Sequence, residues 1–142
     1  MYDEELVDFF NLHNISFSVL NEDQFNGYAK IENYPFIGSR IAWSHLNIHI
    51  SKQFHELNEF ANEIEKILLN SDKEKSSIVL LGNDFQYGYN FNFSFENLKL
   101  ALKFLIEYPG ENYLFGFSQE WCICIYDVLD FGLPLSTSLS ST

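Results

Sequence analysis

Three stretches of the chain carry a helical period. From Ser51 to Asn70, apolar residues stand at Phe54, Leu57, Phe60, Ala61, Ile64, Ile67 and Leu68, in steps that return to one face of a helix. This spacing predicts an amphipathic helix over 51–70 with Ser51 as its N-cap. A second helix is predicted over "SFENLKLALKFLIEYPG", capped by Ser94 and stopped by Pro109 and Gly110. A third lies in "YDEELVDFFNLHN", which gathers Leu6, Val7, Phe9, Phe10 and Leu12 near one side. Its opening acids Asp3, Glu4 and Glu5 suit the positive end of a helix dipole.

Strands are announced by alternation. "ISFSVL" alternates Ile15, Phe17 and Val19. "RIAWSHLNIHI" sets Leu46, Ile48 and Ile50 on one face against His45, Asn47 and His49 on the other. "SIVLLG" is a short apolar run, and Tyr89, Phe91 and Phe93 alternate with Asn90 and Asn92. "NEDQFNG" reads as a loop, and "YAKIENYPFIGSR" as a weak strand punctuated by Pro35 and Gly38. "NYLFGFS" and "WCICIYDV" are the last two strands expected. In the latter, Trp121, Ile123 and Ile125 point one way and Cys122, Cys124 and Tyr126 the other. A strand apolar on both faces belongs inside a sheet that is covered on both sides.

The resulting order is α, β, β, α, β, β, α, β, β, with mostly short connections. It predicts an α+β domain with a mixed or antiparallel central sheet and helices packed mainly on one face. Residues 1–135 are expected to form this single domain, and the Ser/Thr-rich segment 136–142 a flexible tail.

Composition adds a core and a field. Of the 142 residues, 46% are hydrophobic and 18% aromatic, which is ample for one packed domain. Twenty acids against eight bases leave a net charge of −12. Such a chain does not suit nucleic acid, which needs Lys and Arg to displace counterions, nor an anionic membrane surface. It suits a basic partner. The N-terminus lacks the basic and apolar regions of a signal peptide, and no run is long enough for a membrane helix. Cys122 and Cys124 sit roughly 6.6 Å apart on one strand face, a poor disulfide geometry. The expectation is a reduced, cytoplasmic protein whose two cysteines are core residues.

Candidate chemistry is sparse. No phosphate-binding glycine loop or nucleophile elbow occurs. His45 and His49, read on one strand, would stand roughly 13 Å apart, too far to share a metal; no metal or cofactor is expected. His13 and His55 complete the set of histidines that a cysteine nucleophile could pair with, but no nucleophile signature surrounds Cys122 or Cys124. Two acidic groups remain. Glu56, Glu59 and Glu63 recur at helical spacing and form one ridge. Glu120, Asp127 and Asp130 flank the Trp-led strand. Both groups are candidate partner-binding residues.

The segment "ENYLFGFSQEWCICIYDVLDFG", with a strand, a short acidic turn and a Trp-led closing strand, resembles bacterial immunity proteins of polymorphic toxin systems, of the contact-dependent growth inhibition or Rhs/WapA type. The resemblance implies a non-enzymatic inhibitor that binds a cognate basic toxin domain, such as a nuclease, and blocks its active site or substrate access. Acidic residues would then stand where nucleic-acid phosphates bind. Two alternatives are a small α+β enzyme or ligand-binding domain using a carboxylate/His pocket, and a regulatory domain with another protein partner.

Overall fold

The structure is a computed structural model that describes residues 1–30, 34–38, 40–69, 77–108, 110–116 and 119–135. Among them the chain runs through helix α1 (Asp3–Leu12), strand β1 (Phe17–Val19), helix α2 (Glu22–Ala29), strands β2 (Phe36–Ile37), β3 (Arg40–Ile41) and β4 (His49–Lys52), and helix α3 (Leu57–Leu69). It continues through β5 (Ser77–Gly82), β6 (Tyr89–Asn92), helix α4 (Phe95–Ile106), β7 (Asn112–Gly116), β8 (Cys122–Ile125) and β9 (Leu129–Gly132).

Seven strands form one sheet in the order β1-β6-β5-β7-β8-β9-β4, and every neighbouring pair is antiparallel. The expected α+β class holds, and the sheet is antiparallel rather than mixed. The remaining pair, β2 and β3, is a two-residue hairpin around Gly38, whose φ of 65° suits glycine.

The main core lies on one face of the sheet. There α1 contributes Phe10, α3 Phe60 and Ile64, and α4 Leu102, all fully buried against Leu80, Leu114, Ile123 and Phe131 of the sheet. The opposite face is covered more thinly. Val79, Phe115 and Cys122 pack there against Leu20, Tyr34, Ile41 and Leu46, with Phe25 and Tyr28 of α2 at the rim. The helices therefore sit mainly on one face, as expected. Strand β8 is buried on both sides: Ile123 joins the helix-side core and Cys122 the other. Tyr126, expected beside the cysteines, lies beyond the strand, partly exposed with the Arg40 guanidinium over its ring.

Several boundaries differ from the sequence expectation, each for an identifiable reason. Segment 21–27 is not a loop but the start of α2. Asn21 accepts a hydrogen bond from the Gln24 amide while Gln24 Oε1 accepts from the Asn21 amide, a complete capping box. Its hydrophobic pattern is silent because α2 buries no residue fully. The long strand expected over 40–50 is broken: Trp43–His45 is a 3-10 turn, and Ile48 faces solvent. His45 and His49 therefore do not share a strand face.

Ser51 is not a helix cap but part of β4, paired with Asp130. The helix enters through a 3-10 turn, Phe54–Glu56, capped by Gln53 with Glu56. Leu57, Phe60, Ile64 and Leu68 are its buried stripe, and Phe54 and Ile67 are half-buried. Asn70, Pro109 and the tail 136–142 lie outside the described residues. Ser94 caps α4 as expected, its hydroxyl accepting from the Asn97 amide. Strand β9 was hidden, because "VLDFG" reads as a carboxylate-bearing strand end. Leu129 and Phe131 are fully buried on its inner face.

Candidate functional site

The six acidic residues singled out by the sequence fall in different surroundings. Glu56 is partly buried and its carboxylate accepts from the Gln53 amide, so it caps the turn before α3. Glu59 is exposed and stands 3.8 Å from the Lys52 ammonium. Glu63 lines a groove between α3 and the edge strand β4. Of the three, only Glu59 is exposed, and it faces Lys52; Glu56 and Glu63 are half-buried.

The second group is dispersed. Glu120 precedes β8 and Asp127 follows it, so the two stand at opposite ends of that strand. Asp130 lies within β9, opposite Cys124, and its carboxylate holds His49 Nε2 at 3.0 Å. The Trp43 ring stacks on His49 at 5.6 Å. Asp130 and His49 are brought together by the β4–β9 pairing, a contact between distant segments that no local pattern shows.

The groove beside β4 has a volume of about 560 Å³ and is lined by His49, Ser51, Lys52, Glu63 and Lys66 among others. Strand β4 is the last in the sheet among the described residues, and all its residues line this groove. Among the described residues no group of three or more His, Cys, Asp or Glu is placed to hold a metal ion.

The cysteines are buried and unbridged. Burial first, then the nearby Glu111 carboxylate, pushes the Cys124 thiol up to about 12; burial drives Cys122 well above the usual range. A thiol held neutral in this way is a poor nucleophile, because the thiolate is the reactive form.

Tertiary packing assembles a patch that sequence reading missed. The first turn of α1 and the last turn of α4 meet, with the Tyr2 and Tyr108 rings 4.7 Å apart and Phe104 against Tyr108 at 4.5 Å. Desolvation and the adjacent Glu5 and Glu107 carboxylates raise the Tyr108 hydroxyl. Asp3 holds α1 in place: its carboxylate accepts from the Gln86 and Tyr87 amides and from the Tyr89 hydroxyl. Neither Glu5 nor Glu107 is ion-paired among the described residues. One local signal existed. Glu107 stands at the C-cap of α4, where a carboxylate faces the negative end of the helix dipole and stabilises nothing.

No helix among the described residues is long and apolar enough to cross a membrane. Comparison with protein-family models finds no match, and comparison with curated protein sequences finds none either.

Proposed function

We propose that this chain is an immunity-type inhibitor that binds a basic toxin domain through an acidic, aromatic surface. The observation that carries the reading is the patch of Tyr2, Glu5, Glu107 and Tyr108. Two carboxylates without ion partners among the described residues flank two paired tyrosine rings, on a chain of net charge −12. Tyrosine supplies large contact area with a polar tip, and interfaces are enriched in it. The uncompensated field steers a basic partner, and a few buried rings supply the anchors. Glu56, Glu59 and Glu63 on one side, and Glu120, Asp127 and Asp130 on another, remain candidate contacts beside the new patch.

The test is co-expression with the C-terminal domain of a large secreted protein encoded next to this gene. Association rate is then followed against ionic strength. Expected are co-purification, fast association at low salt, and a steep fall as salt rises. Charge reversal at the true patch, as Glu5→Lys with Glu107→Lys, slows association and weakens protection. The two triple Lys variants of the other groups report whether they contribute. A rate flat in salt, with protection untouched by all three variants, sinks the electrostatic inhibitor.

A second reading, a small enzyme or ligand-binding domain, is favoured by one feature: His49, oriented by Asp130, on the wall of the groove beside β4. Ser51 shares that strand face but makes no hydrogen bond to His49, so a serine nucleophile would lack its base. Asp130→Asn separates the readings. It abolishes turnover if His49 is a general base, and leaves toxin neutralisation in place if the α1–α4 patch is the interface.

A further inference from the structure

On the thinly covered face of the sheet, α2 and β7 enclose a pocket of about 210 Å³. Two periods build its walls. Phe25 and Ala29 are four residues apart on α2 and share a helix face. Glu111, Tyr113 and Phe115 alternate at and along β7 and share a sheet face. Leu81 of the neighbouring strand closes the floor. The Tyr113 and Phe115 rings lie nearly parallel, 6.0 Å apart at 9°. The Tyr113 hydroxyl donates to Glu111 Oε2 and fixes that carboxylate at the pocket. Glu111 has no ion partner among the described residues, and Oε1 accepts no hydrogen bond there.

A fixed carboxylate with an open oxygen, beside aromatic rings in a pocket sized for one side chain, selects a cation with an apolar stem. A guanidinium fits both parts, since it pairs with carboxylates, stacks on rings and is weakly hydrated. We propose that this pocket receives one arginine side chain of the partner, its guanidinium on Glu111 and its stem against Phe25 and Tyr113, with the buried Phe115 ring backing Tyr113. That the arginine belongs to a basic protein rests on the inhibitor reading above; the pocket's preference for the side chain does not.

The experiment is a titration of the full chain with N-acetyl-arginine amide, followed by amide chemical shifts. N-acetyl-citrulline amide serves as the uncharged isostere. Expected are saturable shifts centred on Phe25, Leu81 and Tyr113 for the arginine compound, with affinity about tenfold above the citrulline compound. Glu111→Gln removes the charge but leaves Tyr113 an acceptor oxygen, and it should erase that preference. Ala29→Leu narrows the pocket and should weaken both ligands; it also serves should Glu111→Gln fail to fold. Equal affinity for the two compounds, shifts centred elsewhere, or binding indifferent to both variants overturns the proposal. Failure of the chain to retain any basic domain, with the pocket still selecting arginine, overturns the inhibitor reading alone. Retention undiminished by Glu111→Gln and Ala29→Leu overturns the pocket's role in it.

Discussion

At the scale of single residues, the most informative groups are those whose surroundings contradict their chemistry. Asp3 is little buried, yet its carboxyl titrates below the usual carboxylate range. Partial burial works against this, and hydrogen bonds from Gln86, Tyr89 and Tyr87 outweigh it. A depressed folded value means that the ionised form is tied to the native state. The contribution is full above the unfolded value of about 3.9 and is lost as pH falls through the lower folded value. Asp3→Asn should therefore flatten the acid side of a stability curve below about pH 5, and above it lower stability by a constant amount without changing the slope. Melting temperature against pH for both proteins checks it; parallel acid limbs would show the clamp to be energetically idle.

Asn112 is fully buried, and neither of its side-chain polar atoms has a hydrogen-bond partner among the described residues. Its side chain lies over Gly82, where an added Cβ would collide with Asn112 Oδ1 and stand 2.8 Å from the Phe85 ring. Gly82→Ala should cost about 1–3 kcal/mol through overpacking. Combined with Asn112→Ala, the cost should shrink, because the collision and the unsatisfied amide leave together. Denaturant unfolding of the four proteins in this cycle measures it. The buried Trp121 indole N–H also lacks a partner among the described residues. The cysteines are read more simply. Thiols pushed this far up should label slowly in the native protein, and Cys122→Ala with Cys124→Ala should lower stability before it alters function. Fast native labelling that abolishes function would reinstate a catalytic role.

At the scale of elements, stability divides between stripes and caps. Ile64 is fully buried in the middle of α3, so Ile64→Ala should cost about 2–5 kcal/mol. Ser94→Ala at the cap of α4 should cost about 0.5–2 kcal/mol. Asn21→Ala removes a cap of similar worth, but from a helix with no fully buried residue. Its loss should release α2 locally, seen as faster amide exchange over 22–29 with the main core unaffected. Amide exchange that accelerates equally across the sheet would deny α2 that independence. The same contrast explains what was legible. Helices α3 and α4 and strands β5, β7 and β8 show their burial in their own residues. Helix α2 is specified by a capping box at Asn21 and Gln24, which a reading by hydrophobic period passes over. Strand β9 alternates Leu129 and Phe131 for only four residues, with Asp130 between them.

At the scale of the molecule, charge and fold are separate layers. The helix-side core holds the sheet against α1, α3 and α4, and the acidic residues decorate its outside. The salt dependence of association therefore belongs to the surface. Charge reversals at Glu59 or Glu107 should change the on-rate by more than they change stability, because exposed charges contribute little to folding. Melting temperatures within a few degrees of wild type, beside a slowed association, would meet this expectation. Unfolding of either variant would contradict it.

The chain's own residues determined the class, the helix-side core and the sign of the field. Those properties follow from local period and from composition, which need no contact between distant segments. The order of strands did not follow, nor did the joining of His49 to Asp130, the meeting of Tyr2 with Tyr108, or the pocket of Phe25 with Glu111. Each of these sets residues from elements far apart in the chain side by side. Antiparallel pairing and helix docking alone decide which faces meet. One pairing partner shifted by a single residue would turn every side chain of a strand to the opposite face. The acidic residues that the sequence grouped by proximity along the chain were accordingly regrouped by the sheet. Glu120 and Asp127 went to opposite ends of β8, and Asp130 went to its histidine.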